Sequence, residues 1–319
     1  MKILNRHGVG LEVQFLLLSA ISFISSRADL QLSDEYLSEI RADVAVDKAA
    51  GEYNYDQQGA DWPGTCNEGK KQSPIDLIKR DAIVKSIPEI RFNNYDKSLQ
   101  TPLLVVNNGH TANMVLPANS GGNRASISGG MLPGVFEAQS VHFHWGSPNT
   151  AGSEHAIDFE RYDVETHIVH KNTKYSNLTV GEASEYWDGL AVLGAMLRAS
   201  RGSPLQRSGL HRIFNVLPEI IPYEANATIT GQLTVRELLG NISPAEFFTY
   251  NGSLTTPNCA ESVTWTVFKD VASFPQGQIS KLWNLRDSRR RELINNYREL
   301  QDLNNRPVYF RQRRQTILF

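Results

Sequence analysis

Two histidines stand two residues apart in the segment VHFHWGS, residues 141–147. In a β-strand, residues i and i+2 point to the same face, so His142 and His144 would lie side by side. Val141, Phe143 and Trp145 would then point to the other face, toward a core. The paired imidazoles predict either two ligands of a metal ion or two half-buried histidines satisfied by neighbouring hydrogen bonds, and this motif alone leaves both open.

The segment DVETHIVH, residues 163–170, offers a third imidazole. Because His167 and His170 are an odd number of residues apart, only one of them can share a strand face with a given neighbour. Glu165 shares the face of His167, where its carboxylate can accept the proton of the ring nitrogen that a metal does not use. We therefore predict His167 as the third ligand. The remaining histidines are predicted to be structural: His170, His155, His211 and His7.

The elements that must position these residues are predicted to be strands of a single sheet. With 319 residues and 40% hydrophobic content, the chain can bury a sizeable core. Short segments rich in Val, Ile, Thr or aromatic residues, bounded by Asn, Gly, Pro or Ser, lie at 103–106, 140–145, 165–170 and 262–268. We expect a turn-rich connection at 117–130, a helix that begins near Tyr186, and a polar loop at 198–209.

The charge of the chain is nearly balanced, with 32 Lys and Arg against 34 Asp and Glu and a net charge of -2. This balance gives no overall electrostatic attraction to nucleic acid or to an anionic membrane. We therefore expect a small or neutral partner and no nucleic-acid binding.

The first 28 residues are predicted to be a signal peptide. Lys2 and Arg6 give a positive start, residues 13–24 are mostly apolar, and Ser26-Arg27-Ala28 has small residues at the positions that a signal peptidase reads. The alternative is a membrane anchor, but the apolar run is too short to span a bilayer, and no second run of that length occurs. Residues 29–50 have helical periodicity and form a short extension or a propeptide. We expect a secreted protein without a membrane anchor.

Two further features are consistent with export. Cys66 and Cys259 are the only cysteines, and in an oxidising compartment an isolated pair most simply forms a disulfide; two buried thiols are the alternative. Four asparagines fit the glycosylation acceptor pattern. They are Asn177, Asn226, Asn241 and Asn251.

The ordered motifs QSPIDL, NNGH, HFHWG, GSEH, ETHIVH, SLTTPNC and VTWTVF resemble those of the α-class carbonic anhydrases. The resemblance covers about residues 51–310 and leaves 311–319 as a basic tail. It implies a mainly β, single-domain fold, with minor helices, a large twisted and mostly antiparallel central sheet, and a conical cavity with one Zn²⁺ at its floor. The Cys66 and Cys259 pair resembles the disulfide of secreted family members.

The resemblance implies that His142, His144 and His167 hold the zinc. Water bound to such a zinc has a pKa of about 7, a value established for carbonic anhydrase, and the resulting hydroxide would attack carbon dioxide to give bicarbonate. Thr255 resembles a gatekeeping threonine that donates a hydrogen bond to the carboxylate of Glu154. Taken alone, a strand-end threonine and a surface glutamate would be the simpler interpretation.

Further residues match the family's cavity. The apolar pocket for carbon dioxide and the contact to bicarbonate are implied at Val169, Val192, Leu254, Thr255, Thr256 and Trp265. The water network is implied at Tyr55, Asn108 and Asn113. His110 resembles the proton shuttle, since an ordinary histidine pKa near 6.5 suits proton relay, although without the resemblance it would be read as a turn histidine.

Two positions depart from the family's pattern. Ser140 stands where a glutamine commonly orients the first zinc ligand, and Gln139 is one position away. Tyr53 stands where a tryptophan is usual, and we expect this change to affect the N-terminal packing and not the chemistry.

The sequence thus predicts a secreted, monomeric zinc enzyme that reversibly hydrates carbon dioxide. An alternative of another class is an extracellular matrix or interaction module with incidental catalysis. That role would predict a missing ligand or an appended acidic segment, and neither occurs. Ester hydrolysis is a possible side activity of the same zinc site.

Overall fold

The computed structural model describes residues 32–49, 52–201 and 209–313. The predicted signal peptide, His7 and residues 314–319 of the predicted tail lie outside the described residues.

Fourteen strands are present in the described residues. They are β1 Asp76–Leu77, β2 Ile83–Val84, β3 Ile90–Asn93, β4 Leu103–Asn107, β5 Ala112–Val115, β6 Ser126–Gly129, β7 Phe136–Trp145, β8 Ala156–Ile157, β9 Val164–Asn172, β10 Leu190–Ser200, β11 Asn226–Ile229, β12 Phe247–Gly252, β13 Val263–Pro275 and β14 Tyr309–Arg311. The predicted strand segments 103–106, 140–145 and 165–170 lie within β4, β7 and β9, and the predicted segment 262–268 begins one residue before β13.

Twelve of the strands form one sheet in the order β11-β4-β5-β7-β9-β10-β13-β12-β14-β2, with β6 paired to β7 and β3 to β6. The β10–β13 and β14–β2 pairs are parallel, and the other pairs of this sheet are antiparallel. The predicted fold class, mainly β with a large and mostly antiparallel central sheet, is therefore confirmed.

The helices of the described residues are few and mostly short. They are α1 Asp34–Ala49, α2 Thr65–Glu68, α3 Val180–Ala183, α4 Gly209–Val216, α5 Val235–Leu238 and α6 Gln276–Ile279, with 3₁₀ turns at Thr173–Tyr175, Leu217–Glu219 and Leu282–Asn284. None of the described helices is long and apolar enough to cross a membrane.

The prediction of a helix that begins near Tyr186 is wrong, because the apolar run that follows Tyr186 is strand β10. This strand lies between β9 and β13, and its first eight residues are all buried. A central strand covered on both faces has a continuous apolar sequence, which lacks the alternation that marks a half-buried strand. Residues 190–200 therefore resemble a buried helix in sequence.

The hydrophobic core lies on both sides of this sheet. One cluster contains Val141, Phe143 and Trp145 of β7, which are at most 1% exposed. A second cluster, on β9, β10, β12 and β13, contains Val169 and Trp265. The alternation expected for β7 is thus realised, with one face in the main core and the histidine face turned away from it.

The disulfide between Cys66 and Cys259 is present, as predicted, with 5.0 Å between the two Cα atoms. It joins α2 to the loop that follows β12, across 193 residues of sequence. At the other end of the chain, β14 extends to Arg311, whose guanidinium donates a hydrogen bond to the carbonyl of Ile87. The first residue of the predicted basic tail therefore belongs to the sheet.

Candidate metal centre

Two neighbouring strands, β7 and β9, bring the predicted ligands together. His142 is paired with His167 across β7 and β9, and His144 is paired with Glu165. Directly opposed residues in a sheet lie on the same face, so the strand register sets the three imidazoles side by side. Their ring nitrogens lie within 4.8 Å of one another.

The ring of His144 is oriented by a buried backbone group. Its Nδ1 donates a hydrogen bond of 2.8 Å to the carbonyl of Asn296, and the side chain amide of Asn296 also bonds the backbone of β7. The tautomer with a proton on Nδ1 leaves a lone pair on Nε2. This Nε2 is buried and has no hydrogen-bond partner in the structure.

His167 is oriented by Glu165, as the sequence predicts from their i, i+2 spacing. His167 Nε2 lies 2.9 Å from Glu165 Oε1 and donates to it, so the lone pair of His167 lies on Nδ1. Burial alone raises the pKa of Glu165, but the electrostatic interactions and hydrogen bonds with His155 and His167 lower it well below the ordinary value. The carboxylate is therefore ionised and accepts from both rings.

His155 belongs to this hydrogen-bond network. Its backbone N–H and its Nδ1 each donate to Glu165 at 2.8 Å, and its Nε2 accepts from the Tyr250 hydroxyl at 2.7 Å. His155, Glu165 and His167 also approach within a metal's reach, but their facing atoms are already joined by hydrogen bonds. This cluster is a support for His167, which agrees with the structural role predicted for His155.

Gly194 of β10 leaves the space that Glu165 needs. A Cβ atom at position 194 would lie 2.9 Å from Glu165 Oε1, which is closer than van der Waals contact allows. A larger residue would therefore displace the carboxylate that orients His167.

The donor set fits a zinc ion. Burial, with the neighbouring imidazoles, lowers the pKa of His142 well below the ordinary value, and burial also lowers the pKa of His144. Neutral imidazoles are the form that binds metals, and three of them with an open fourth position are a ligand set of catalytic zinc. The unpartnered Nε2 of His144 is the buried polar atom that such an ion would satisfy.

Glu154 is fully buried beside these rings. Its Oε1 accepts a hydrogen bond of 2.9 Å from the backbone N–H of Arg298, and its Oε2 lies 3.5 Å from His144 Nε2 without a hydrogen-bond partner. The hydrogen bond expected from Thr255 to Glu154 is therefore not formed in this structure. The Arg298 amide turns the carboxylate so that Oε2 faces the imidazoles.

A cavity of about 800 Å³ opens above the histidines. Its wall includes two of the predicted ligands and both kinds of residue expected from the sequence, polar and apolar. Those present are His142, His144, Ser140, Tyr55, Asn108, His110, Asn113, Val169, Leu254 and Thr256. Thr255, Val192 and Trp265 are not part of this wall, although all three are buried.

The sequence matches a family model described as eukaryotic-type carbonic anhydrase over residues 56–312. The chain belongs to the eukaryotic-type carbonic anhydrase family. Carbonic anhydrase 4 of Mus musculus is 34% identical over 252 residues, which are 78% of this chain and 77% of that protein. Carbonic anhydrase 6 of Homo sapiens is 35% identical over 257 residues, 78% of this chain and 79% of the relative. The chain is thus an enzyme of the carbonic anhydrase type.

The apolar positions of this carbonic anhydrase form one row across the sheet. Val192 is paired with Val169 on β9 and with Trp265 on β13. The Trp265 ring lies 4.9 Å from the His167 ring, measured between centroids, and its Nε1 donates to the carbonyl of Ser253. Val169 lines the cavity, and Val192 and Trp265 extend its apolar surface across the neighbouring strands.

His110 lies in a turn at the rim of the cavity. The side chain oxygen of Asn108 accepts hydrogen bonds from the backbone N–H groups of His110 and Thr111, which fixes the turn. The His110 ring stacks on Tyr53, with 3.8 Å between ring centroids and 7° between planes. Tyr53 therefore contacts the candidate shuttle, and the expectation that it does not affect the chemistry stays a prediction.

His110 also lines a second cavity of about 500 Å³, together with Tyr53, Asp56, Asp287 and Arg289. Burial lowers the pKa of His110 to about 4, an effect that Asp287 opposes and Arg289 reinforces. In this position the imidazole is neutral at physiological pH.

Ser140 lines the cavity, but no hydrogen bond joins its side chain to His142 within the described part of the chain. A serine is too short to reach the ring two residues further along the strand. Gln139 does not substitute for it, because its amide donates to the carbonyls of Glu137 and Ala138.

Several buried residues that support the candidate centre were not predicted from the sequence. Asn296 orients His144, the Arg298 backbone orients Glu154, and Tyr250 extends the network through His155. Asn296 and Arg298 lie in an irregular C-terminal segment, more than 140 positions after the residues that they contact. No local pattern in the sequence marks them. Of the structural histidines, His170 is buried on the opposite face and bonds Tyr95, and His211 packs on Phe274.

Proposed function

We propose that this carbonic anhydrase hydrates carbon dioxide to bicarbonate and a proton through a zinc ion held by His142, His144 and His167. The observation that carries the proposal is the buried Nε2 of His144, which has no hydrogen-bond partner and faces two further imidazoles within 4.8 Å. When bound, zinc supplies a Lewis acid that makes water acidic near neutral pH, an effect established for carbonic anhydrases.

The hydrogen-bond partners of the ligands prepare this site. Asn296 fixes the Nε2 lone pair of His144, and Glu165 fixes the Nδ1 lone pair of His167. Because each ring is held by its other nitrogen, little rotamer freedom is lost when a metal binds. His142 is half-buried on β7, and its depressed pKa keeps its imidazole neutral.

Thr255 and Glu154 are proposed to orient the attacking oxygen. The Oε1 of Glu154 is occupied by the Arg298 N–H, so Oε2 is the carboxylate atom available to accept from the Thr255 hydroxyl. A threonine that donates to a carboxylate has its own lone pairs left to accept a hydrogen bond from the reacting water or hydroxide. This would aim an oxygen lone pair at the substrate.

Carbon dioxide is apolar, and its proposed binding site is the apolar part of the cavity wall. Val169 and Leu254 line it, while Val192 and Trp265 extend the row within the sheet. Thr256, also in the wall, is proposed to donate a hydrogen bond to bicarbonate. Burial of a small apolar molecule here excludes water from the reacting carbon.

His110 is proposed to move the proton, with Tyr55, Asn108 and Asn113 ordering water between it and the ligands. His110 lines both cavities, so its ring has access to the site on one side and to a polar surface pocket on the other. Its lowered pKa in the stacked position opposes proton uptake. The relay is therefore proposed to require the ring to leave Tyr53.

The test is stopped-flow hydration of carbon dioxide by the purified protein before and after removal of metal with a chelator. We expect activity to fall at least about a hundredfold on zinc removal and to return with one equivalent of zinc. Metal content is measured on the same samples. Full activity in metal-free protein would contradict the proposal.

We also propose that the protein is secreted, glycosylated and monomeric. The predicted signal peptide and the Cys66–Cys259 disulfide support export. Among the acceptor asparagines, Asn177, Asn241 and Asn251 are exposed and Asn226 is partly exposed. Mass measurement of secreted protein after thiol labelling in denaturant should give no labelled cysteine and a chain that starts near Asp29. Two labelled cysteines or a retained Met1 would contradict the export proposal.

A further inference from the structure

The helix α1 lies outside the segment that matches the family model, which begins at residue 56. Its first turn is fixed by Ser33, whose hydroxyl accepts a hydrogen bond from the backbone N–H of Tyr36 and whose carbonyl accepts from that of Leu37. Tyr36 and Ile40, one helical turn apart, are 3% and 9% exposed and belong to the main hydrophobic core. A segment beyond the family's domain is thus packed into that domain.

Tyr36 occupies a specific place in the sheet. The register of β4 and β5 pairs Val105 with Met114, and one further step would pair Leu104 with Val115. At that step the Tyr36 hydroxyl accepts a hydrogen bond from Leu104 N–H and donates one to the Val115 carbonyl, both at 3.1 Å. The hydroxyl therefore bridges the two strands where their own pairing ends.

A second contact lies on the same side of the helix. The carboxylate of Glu39 pairs with the guanidinium of Arg124. Arg124 in turn donates to the carbonyls of Leu116 and Ala138, at 2.8 and 3.2 Å. This arginine therefore joins the helix to the ends of β5 and β7.

The bridged strands lead to the metal centre. Val115 of β5 is paired on its other side with Ser140 of β7, two residues before His142. Asn113 is paired with His142 itself. A change in the position of β5 at Val115 would therefore be passed to the strand that carries two of the proposed zinc ligands.

We propose that residues 32–41 are a strap, retained in the mature protein, in which the Tyr36 hydroxyl completes the β4–β5 ladder. This decides between the two sequence interpretations of residues 29–50 in favour of an integral extension over a removable propeptide. When a buried hydroxyl that hydrogen-bonds two backbone groups is removed, both backbone groups lose their hydrogen-bond partner. The strap does not depend on the proposed zinc chemistry.

The first test is amide hydrogen exchange of the full mature chain with Tyr36→Phe, which removes only the hydroxyl. We expect the Leu104 amide to exchange about tenfold faster, while amides of β10 are unchanged. Tyr309→Phe is the matched control and should leave Leu104 unaffected. Glu39→Gln should have a smaller effect than Tyr36→Phe, since partly exposed ion pairs contribute little. Unchanged exchange at Leu104 in Tyr36→Phe would overturn the proposal.

The second test is the N-terminus of the protein secreted by its own cells or by a eukaryotic host. We expect it to begin before residue 33, so that Ser33 and Tyr36 are retained. A mature chain that begins beyond residue 41 would identify a propeptide and overturn the strap.

A third test supplies the strap in trans. A synthetic peptide of residues 29–49 added to protein that begins at residue 50 should restore protection of the Leu104 amide, and the same peptide with Tyr36→Phe should not. Restoration by both peptides would overturn the role of the hydroxyl. If the shortened protein does not fold, the exchange of Tyr36→Phe and the natural N-terminus still decide the question.

Discussion

His144 and His167, at the floor of the cavity, are held differently from His110 at its rim. Each floor ring donates a hydrogen bond to a buried acceptor, which fixes both its tautomer and its direction. His110 is held by a stacking contact with Tyr53, which fixes the plane of the ring but selects no tautomer. A metal ligand needs one lone pair in a fixed position, whereas a proton relay needs a ring that can rotate and change its protonation state. The hydrogen-bonded rings suit the first role, and the stacked ring of His110 suits the second.

The largest effect is expected at the floor. His144→Ala removes one of three proposed ligands and leaves Glu154 beside an empty space, so zinc content should fall below about a tenth of an equivalent. Hydration activity should fall at least about a thousandfold. Metal analysis and stopped-flow assay check this, with His211→Asn as a control that changes a histidine outside the cavity. Full zinc and full activity in His144→Ala would remove this residue from the ligand set.

A smaller effect is expected at the rim. His110→Ala should lower steady-state turnover in dilute buffer about tenfold, because the proton loses its relay while the zinc site is intact. Isotope exchange between carbon dioxide and bicarbonate at equilibrium should stay nearly unchanged, and added imidazole should restore part of the turnover. A variant with the parent's rate in dilute buffer would show that the proton leaves by another route.

The stacking contact itself can be removed. Tyr53→Ala opens the surroundings of His110, so its pKa should rise from about 4 toward its ordinary value of 6.5, as followed by NMR titration of the ring. Turnover in dilute buffer should increase about fivefold if the relay is limited by this pKa. Tyr53→Trp, which retains a stacking ring, is the control. A pKa that remains near 4 in Tyr53→Ala would mean that burial by other residues sets it.

The same variant has a consequence for stability. The folded pKa of His110 lies below the unfolded value, so between about pH 6.5 and pH 4 the unfolded chain binds more protons than the folded chain. The free energy of unfolding contributed by this group is therefore retained above pH 6.5 and lost as the pH falls through that window. Urea unfolding at pH 7 and pH 5 should give a smaller difference in Tyr53→Ala than in the parent.

The smallest effect is expected at His142, the proposed ligand for which the family resemblance implies a glutamine partner where this chain has Ser140. Ser140→Gln restores a side chain long enough to accept a hydrogen bond from the ring, so zinc loss to a chelator should slow about threefold or more. Hydration activity should stay within about twofold of the parent. Ser140→Ala is the control and should not change zinc loss, since the serine makes no hydrogen bond to His142. Faster zinc loss in Ser140→Gln would mean that the amide displaces the ring.

The spacing of residues in the sequence was sufficient to predict the part of the site that lies on strands β7 and β9. The i, i+2 pairs of β7 and β9 place His142 beside His144 and Glu165 beside His167 whatever the rest of the fold, because side chains alternate along a strand. The mainly β class followed from the same short segments. The prediction was wrong at β10, where burial on both faces removes the alternation.

Long-range contacts decided the remainder. Asn296 reaches His144 from 152 residues away, and Arg298 reaches Glu154 from 144 residues away, both from a segment without regular structure. The stacking of Tyr53 on His110 and the hydrogen bond from Leu104 to Tyr36 also join residues that are distant in the sequence. By itself the sequence determined which side chains share a face, since that depends only on backbone periodicity. Only the tertiary structure decided which distant groups orient them, because such hydrogen bonds depend on the packing of the whole chain.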